Sequence, residues 1–243
     1  MSQLNRLNLF IKKELSELRV LLRCIPSLVL AVFAVSLVAM NLLANKLIVN
    51  LPWIALDAGI IVSWIAFLVM DTTVKRFGPK AAMQVTVVGI ALNLLVVAIF
   101  NLGALIPGSW GEGADTAINA TLSGSWHVLL ASTTAFIASS LTNNLLHFSI
   151  LRRMKNKDGF GAYAVSSYVS TAVAQFVDNF VFALLFTFAN GWITLTAAVM
   201  FAGVGAVAEL LCQVIFSPIG YRVAERWRKD GVGEEYLRLR GVE

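Results

Sequence analysis

The sequence predicts an all-α, polytopic membrane protein: six transmembrane helices, both termini cytoplasmic, and a short amphipathic helix ahead of the first crossing. Three observations predict it. Of 243 residues, 58% are hydrophobic and 14% charged, with a mean hydropathy of +0.78, which leaves too little polar surface for a water-soluble domain. Six apolar stretches are each long enough to cross a bilayer as a helix, which takes about 20 residues. The basic residues sit in alternate connections, so all but Lys46 of the 19 fall on one side, and the positive-inside rule makes that side cytoplasmic.

Residues 1–24 form the leader. Lys12, Lys13 and Arg19 alternate with Leu and Phe at helical spacing, the pattern of a basic helix lying on a membrane surface. The next apolar stretch is of spanning length and lacks a small-residue cleavage site, so it reads as a retained crossing and not as a signal peptide. The crossings are expected at residues 25–48, 53–73, 82–105, 128–151, 162–189 and 193–221. Residues 106–127 hold Gly108, Gly111, Gly113 and Gly124 with Glu112 and Asp115, and read as an outward flexible loop. Residues 222–243 are a basic cytoplasmic tail, and the whole chain, 1–243, is one transporter-type domain.

Several function classes fit poorly. The basic residues flank helix ends in short loops and form no stripe interleaved with aromatics, which argues against nucleic-acid binding. Cys24 and Cys212 suggest neither a disulfide framework nor a metal cluster. No Gly-rich phosphate loop or zinc spacing occurs, and His127 and His147 have no carboxylate or cysteine at helical spacing. No catalytic residue, metal or cofactor is therefore expected. Asp178 follows Phe176 and Val177 with no glycine before it, against an intramembrane aspartyl protease.

The chemistry concentrates in Ser170 to Phe182, STAVAQFVDNFVF, an apolar run carrying Gln175 and Asp178. An ionised carboxylate in hydrocarbon costs about 2.5 to 3.5 kcal/mol on insertion scales, so it normally faces protein, an ion path or a ligand. Ser167, Thr171, Gln175, Asp178 and Phe182 recur at three- and four-residue steps, which stacks them on one helix face. The preceding crossing offers Ser140, Asn143, Asn144 and His147, and a gapless echo sets Ser139–Leu146 over Ala174–Val181. Weak repeats of this kind suit transporters with a midplane site. Asn45 and Asp71 complete the candidates, with Asp71 and Asp57 expected near membrane ends. Glu209 is expected to hold helices together. A carboxylate with Gln, Asn and Phe neighbours suits a flat heteroaromatic ligand presenting adjacent N–H donors, as guanine-like bases do.

Ordered motifs then resemble the VUT, or queuosine-precursor transporter, family. They are Asn41 with Asn45-Lys46, then Ala58-Gly59-Ile60-Ile61, then Phe67 to Gly78 around Asp71. Ala131-Ser132 with Ser139 to Asn143 follows, and Ser170 to Phe182 comes last. The resemblance runs from about Asn41 to Pro218. It implies a multi-pass plasma- or inner-membrane importer of 7-deazaguanine bases, such as 7-cyano-7-deazaguanine, that feed tRNA queuosine modification. Asn45, Asp71, Ser140, Asn143, Asn144, Thr171, Gln175, Asp178 and Phe182 are the residues expected to bind the base. The departures are Lys75 for Glu, Ser140 for Gln, Asn143 for Asp, Trp64 for Pro, and Glu209 near a common Lys. Two other readings stand beside this one: a solute-binding subunit for another vitamin-like molecule that depends on a separate ATPase module, and a non-transporting structural membrane protein. The oligomeric state is not readable, because Gly203 and Gly205 lack the four-residue small-residue spacing.

Overall fold

The computed structural model describes residues 3–44, 46–51, 54–109, 111–123, 126–154, 159–188 and 194–241. In order, the elements are α1 (Gln3–Cys24), α2 (Ser27–Leu43), β1 (Leu47–Leu51), β2 (Ile54–Asp57), α3 (Ile60–Phe77), α4 (Pro79–Ala104), α5 (Glu112–Ser123), α6 (Trp126–Arg153), α7 (Phe160–Phe182), α8 (Leu195–Lys229) and α9 (Glu234–Arg240). A wide turn of π-helix, Ala183–Phe188, extends α7.

Helices α7 and α8 are polar inside and apolar outside, the reverse of a soluble bundle. On α7, Val165, Val169, Val173 and Phe176 face outward, while Ser166, Ser167, Ser170, Thr171, Ala174 and Gln175 are buried. On α8, Val207, Leu211, Ile215 and Ile219 are exposed while Gly205, Glu209, Gln213 and Ser217 are buried. Such a surface costs free energy in water and nothing in lipid, where buried polar groups must instead be paired within the protein. Three helices are long and apolar enough to cross a membrane by themselves: α4, α7 counted to Leu185, and α8. A fourth arises if α1 from Asn8 and α2 make one span through their 105° bend. Helix α3 holds three charges, Asp71, Lys75 and Arg76, in 18 residues. Its apolarity is low because much of it is enclosed by other helices.

α3 is the central helix, packed against α2, α4, α6 and α8. Ala66, Phe67 and Met70 are buried in the core with Phe33 and Leu37 of α2 and Ala81 and Val85 of α4. Two glycines allow the close approaches this needs. A Cβ on Gly89 would come within 2.7 Å of Phe33 and Leu37, and one on Gly220 within 2.7 Å of the Tyr163 hydroxyl. Pro218 cannot donate to Val214 in α8. The freed carbonyl accepts from the Ser217 hydroxyl at 3.3 Å. Trp64, at the departure from Pro, stacks on Phe216 with centroids 4.3 Å apart, fastening α3 to α8.

Two expectations need correction. The first and second crossings were expected to be helical to residue 48 and from residue 53, but an antiparallel hairpin pairs Leu51 with Ile54 and Leu47 with Asp57. β-branched Ile48 and Val49 favour extended backbone, and Pro52 has no N–H to continue a helix. The expected loop at 106–127 contains helix α5. Its first turn carries Glu112 and Asp115, where acids complement the helix dipole, and the Asp115 carboxylate accepts from the Gly108 N–H at 2.6 Å.

The basic segments gather at one end. Lys80 at the start of α4 reaches Glu14 and Glu17 of α1 at 2.6 Å each, and Arg240 of α9 comes within 3.8 Å of Glu17. The Lys80 hydrogen bond holds the Glu14 carboxyl below its ordinary value. Tyr236 of α9 is fully buried, with its ring edge against Phe77 and its hydroxyl donating to Gln84 at 3.1 Å. Both chain ends therefore pack at the α3–α4 turn.

Candidate functional site

At the opposite end, the helix ends leave a cleft that is partly open to the outside. Its walls come from the end of α2 (Met40, Asn41), the hairpin (Asp57), the start of α3 (Ser63), the end of α7 (Asp178, Asn179, Phe182) and the start of α8 (Gly205, Glu209). Three carboxyl groups line it. Ser139 donates to Asp178 at 2.7 Å, Ser63 donates to Glu209 in a short contact, and Asn179 donates to Glu209 at 3.2 Å. The Gly59 N–H caps Asp57 at 2.7 Å, and burial pushes the Asp57 carboxyl up to about 6. Asn41 accepts from Ser132 at 2.7 Å and donates to Asn93 at 2.6 Å, fixing the wall on the α2 side.

Toward the basic end lies a second, sealed polar layer. From Ser63 to Asp71 is two turns of α3, about 12 Å at 1.5 Å per residue. Asp71 is fully buried on α3, and three other helices, α6, α7 and α8, converge on it. Asn143 of α6 donates to Oδ1 at 2.7 Å, and His147 Nδ1 lies 2.9 Å from the same oxygen. Oδ2 accepts from Ser167 in a short contact, from Thr171 at 3.4 Å and from Gln213 at 2.9 Å. Gln213 also donates to Ser167 at 2.8 Å. Charge-assisted bonds of this kind, roughly twice as strong as neutral ones, offset the desolvation of the carboxylate.

From the cleft down to this layer, α6 and α7 hold fully buried polar groups that make no hydrogen bond among the described residues. They are both amide atoms of Gln175, both of Asn144, the Ser140 hydroxyl and Asn143 Oδ1. Each such group costs about 1–3 kcal/mol where it stands. Buried polar groups are otherwise almost always paired. This run of unused donors and acceptors is the strongest local signal of a ligand.

The sequence matches, over residues 57–223, the family described as "Putative vitamin uptake transporter". The chain belongs to the VUT family. The matched span covers every helix that builds the cleft and the sealed layer except α2. No curated protein and no solved structure matches the chain. This VUT chain is a multi-pass membrane protein of a vitamin-uptake-type transporter family, and its outward apolar faces agree with that.

The structure separates the residues expected to bind together. Asp178 and Phe182 line the cleft. Gln175, Ser140 and Asn144 form the unpaired wall below it, while Asp71, Asn143 and Thr171 belong to the sealed layer. Asn45 lies outside the described residues. Asp71, expected near a membrane end, is fully enclosed by protein. Glu209 does join helices, through Ser63 and Asn179, and also faces the cleft. Sequence reasoning missed Gln213 and Ser167 as partners of Asp71, and gave His147 no carboxylate. The signal for Gln213 was present, since it follows Glu209 by one turn on the buried face of α8.

Proposed function

We propose that this VUT-family chain is a six-crossing importer of 7-deazaguanine bases, such as 7-cyano-7-deazaguanine. The crossings are α2, α3, α4, α6, α7 and α8, with the basic end cytoplasmic and the cleft facing outward. The observation that carries the reading is the unpaired polar wall of Gln175, Asn144 and Ser140 beneath a cleft walled by Asp178 and Phe182. Amides supply a donor and an acceptor side by side, a carboxylate accepts two parallel N–H donors, and Phe182 offers a stacking face. A purine-like edge uses all three. The base enters at Asp178 and is taken up by the wall when α6 and α7 part, so that it becomes the partner those groups lack. Asp71 and Thr171 back that wall from the sealed layer.

The test is queuosine formation in tRNA of a host that depends on imported precursor. Replacing Gln175→Ala together with Asp178→Ala removes buried and charged hydrogen bonds worth about 1.5–3 kcal/mol each. The expected loss is roughly ten- to over a hundredfold in affinity per bond. Wild-type uptake by the double variant overturns the site. Uptake by the purified protein alone in liposomes distinguishes this importer from a binding subunit that needs an ATPase partner.

A further inference from the structure

The base-binding reading leaves one buried pair without a task. Asp71 and His147 stand 2.9 Å apart on α3 and α6, both fully enclosed, and the solute wall lies on the cleft side of them. Hydrogen bonding alone does not account for a histidine here. The four donors from Asn143, Ser167, Thr171 and Gln213 already serve both Asp71 oxygens. His147 Nδ1 lies 2.9 Å from Oδ1 without hydrogen-bonding geometry, and Nε2 makes no hydrogen bond among the described residues either. A structural layer would be as well served by an apolar side chain of the same size, which would leave no ring nitrogen unpaired.

We propose that the Asp71–His147 pair is a proton-binding site that couples proton entry to solute transport. The inference rests on the transporter reading above. With one proton the pair is an imidazolium beside a carboxylate, neutral in sum. Without it, the layer holds a net negative charge, which a low-dielectric interior disfavours. The incoming proton bonds to the free ring nitrogen of neutral His147, and leaves from it on the cytoplasmic side. Nothing else is consumed. A metal cation is a poorer occupant, because the Asn143 and Gln213 side chains turn N–H donors, not oxygens, toward the carboxylate.

Titratable groups stand on both sides of the pair. Toward the cleft, Glu209 on α8 lies one turn from Gln213. Toward the basic end, Tyr163 of α7 sets its ring edge on His147, centroids 5.6 Å apart, and lies 5.6 Å from the Tyr221 ring of α8. Lys75, one turn beyond Asp71, stands over that Tyr221 ring at 5.8 Å. α4 faces this level with Thr86, which donates to Met70, and α2 contains no titratable side chain.

The chain has two histidines, so a His127→Gln variant leaves His147 as the single reporter. With ring-¹⁵N histidine in nanodiscs, the expected result is a reversible change of ring protonation across the range in which histidine side chains exchange protons, altered in Asp71→Asn. In proteoliposomes, with 7-cyano-7-deazaguanine as probe, one pH unit (acid outside) should drive about tenfold accumulation at one proton per solute. His147→Gln should keep counterflow of the base within about threefold and lose the gradient-driven accumulation. A ring that keeps one protonation state across that range, or a His147→Gln protein that accumulates like wild type, overturns the proposal. Absence of counterflow in wild type contradicts the substrate reading, and the ring titration then decides the proton site independently.

Discussion

The cleft and the sealed layer are built from the same residue types and do opposite things with them. Around Asp71, three helices turn five polar side chains toward one carboxylate, and both of its oxygens accept hydrogen bonds. Around Asp178, Ser139 supplies a single hydroxyl, and the neighbouring wall of Gln175, Asn144 and Ser140 is left unpaired. The difference lies in how many bonds each carboxylate accepts, although beside Asp71 the Asn143 Oδ1, Gln213 Oε1 and both His147 ring nitrogens are themselves unpaired. A saturated buried network fixes helices relative to one another, whereas an unsaturated one is costly unless something outside the protein completes it.

The largest effect should come from breaking the saturated side. Asp71→Ala leaves the donors of Asn143, Ser167 and Gln213 facing an empty carboxylate site. Removing one partner of a buried charged network typically costs about 3–5 kcal/mol, so denaturant unfolding in micelles should show a loss of that order. A loss below about 1 kcal/mol would mean the layer does not hold the bundle.

Next in size is a contact within the cleft. A Cβ on Gly205 would come within 2.7 Å of Asn179 Nδ2, the group that donates to Glu209. Gly205→Ala should displace Asn179 and cost about 1–3 kcal/mol through the weakened Glu209 bond and crowding, read as a lower melting temperature. Glu209→Gln, which keeps a hydrogen-bonding side chain, should cost less.

The fold was legible where polarity and charge are local properties. The period of Thr171, Gln175 and Asp178 marked the inner face of α7, and the alternation of basic connections matches the gathering of Lys80, Arg76 and Arg240 at one end. The hairpin escaped because Leu47 to Asp57 is apolar enough to extend two crossings, and apolarity alone does not separate strand from helix in so short a run. α5 escaped because its glycines outweighed the Ala-Asp-Thr-Ala run between them. The Asp71–His147 pair was out of reach for another reason. The two residues are 76 positions apart, and nothing in either local sequence says that α3 and α6 present them to each other.

The smallest effect should lie at the basic end. Lys80→Met removes the partner of Glu14 and of buried Glu17; the part-exposed Glu14 pair is worth about 0–1 kcal/mol, and Glu17 keeps Arg240 at 3.8 Å. Lys80 lowers the Glu14 pKa, so this contribution is present above the ordinary Glu value of 4.5 and is lost as pH falls below it. Hydrogen exchange in α1 should therefore quicken below that pH in wild type, and much less so in the variant.

Gln175→Leu tests the contrast between the two regions most directly. Gln175 is fully buried and both its amide atoms lack a partner, so an apolar side chain of similar size removes two unsatisfied groups from the interior. The account predicts unfolding free energy that is unchanged or higher by about 1–3 kcal/mol, together with lost uptake of 7-cyano-7-deazaguanine. A Gln175→Leu protein that is less stable yet transports normally would contradict it, because the residue would then be holding helices and not a solute.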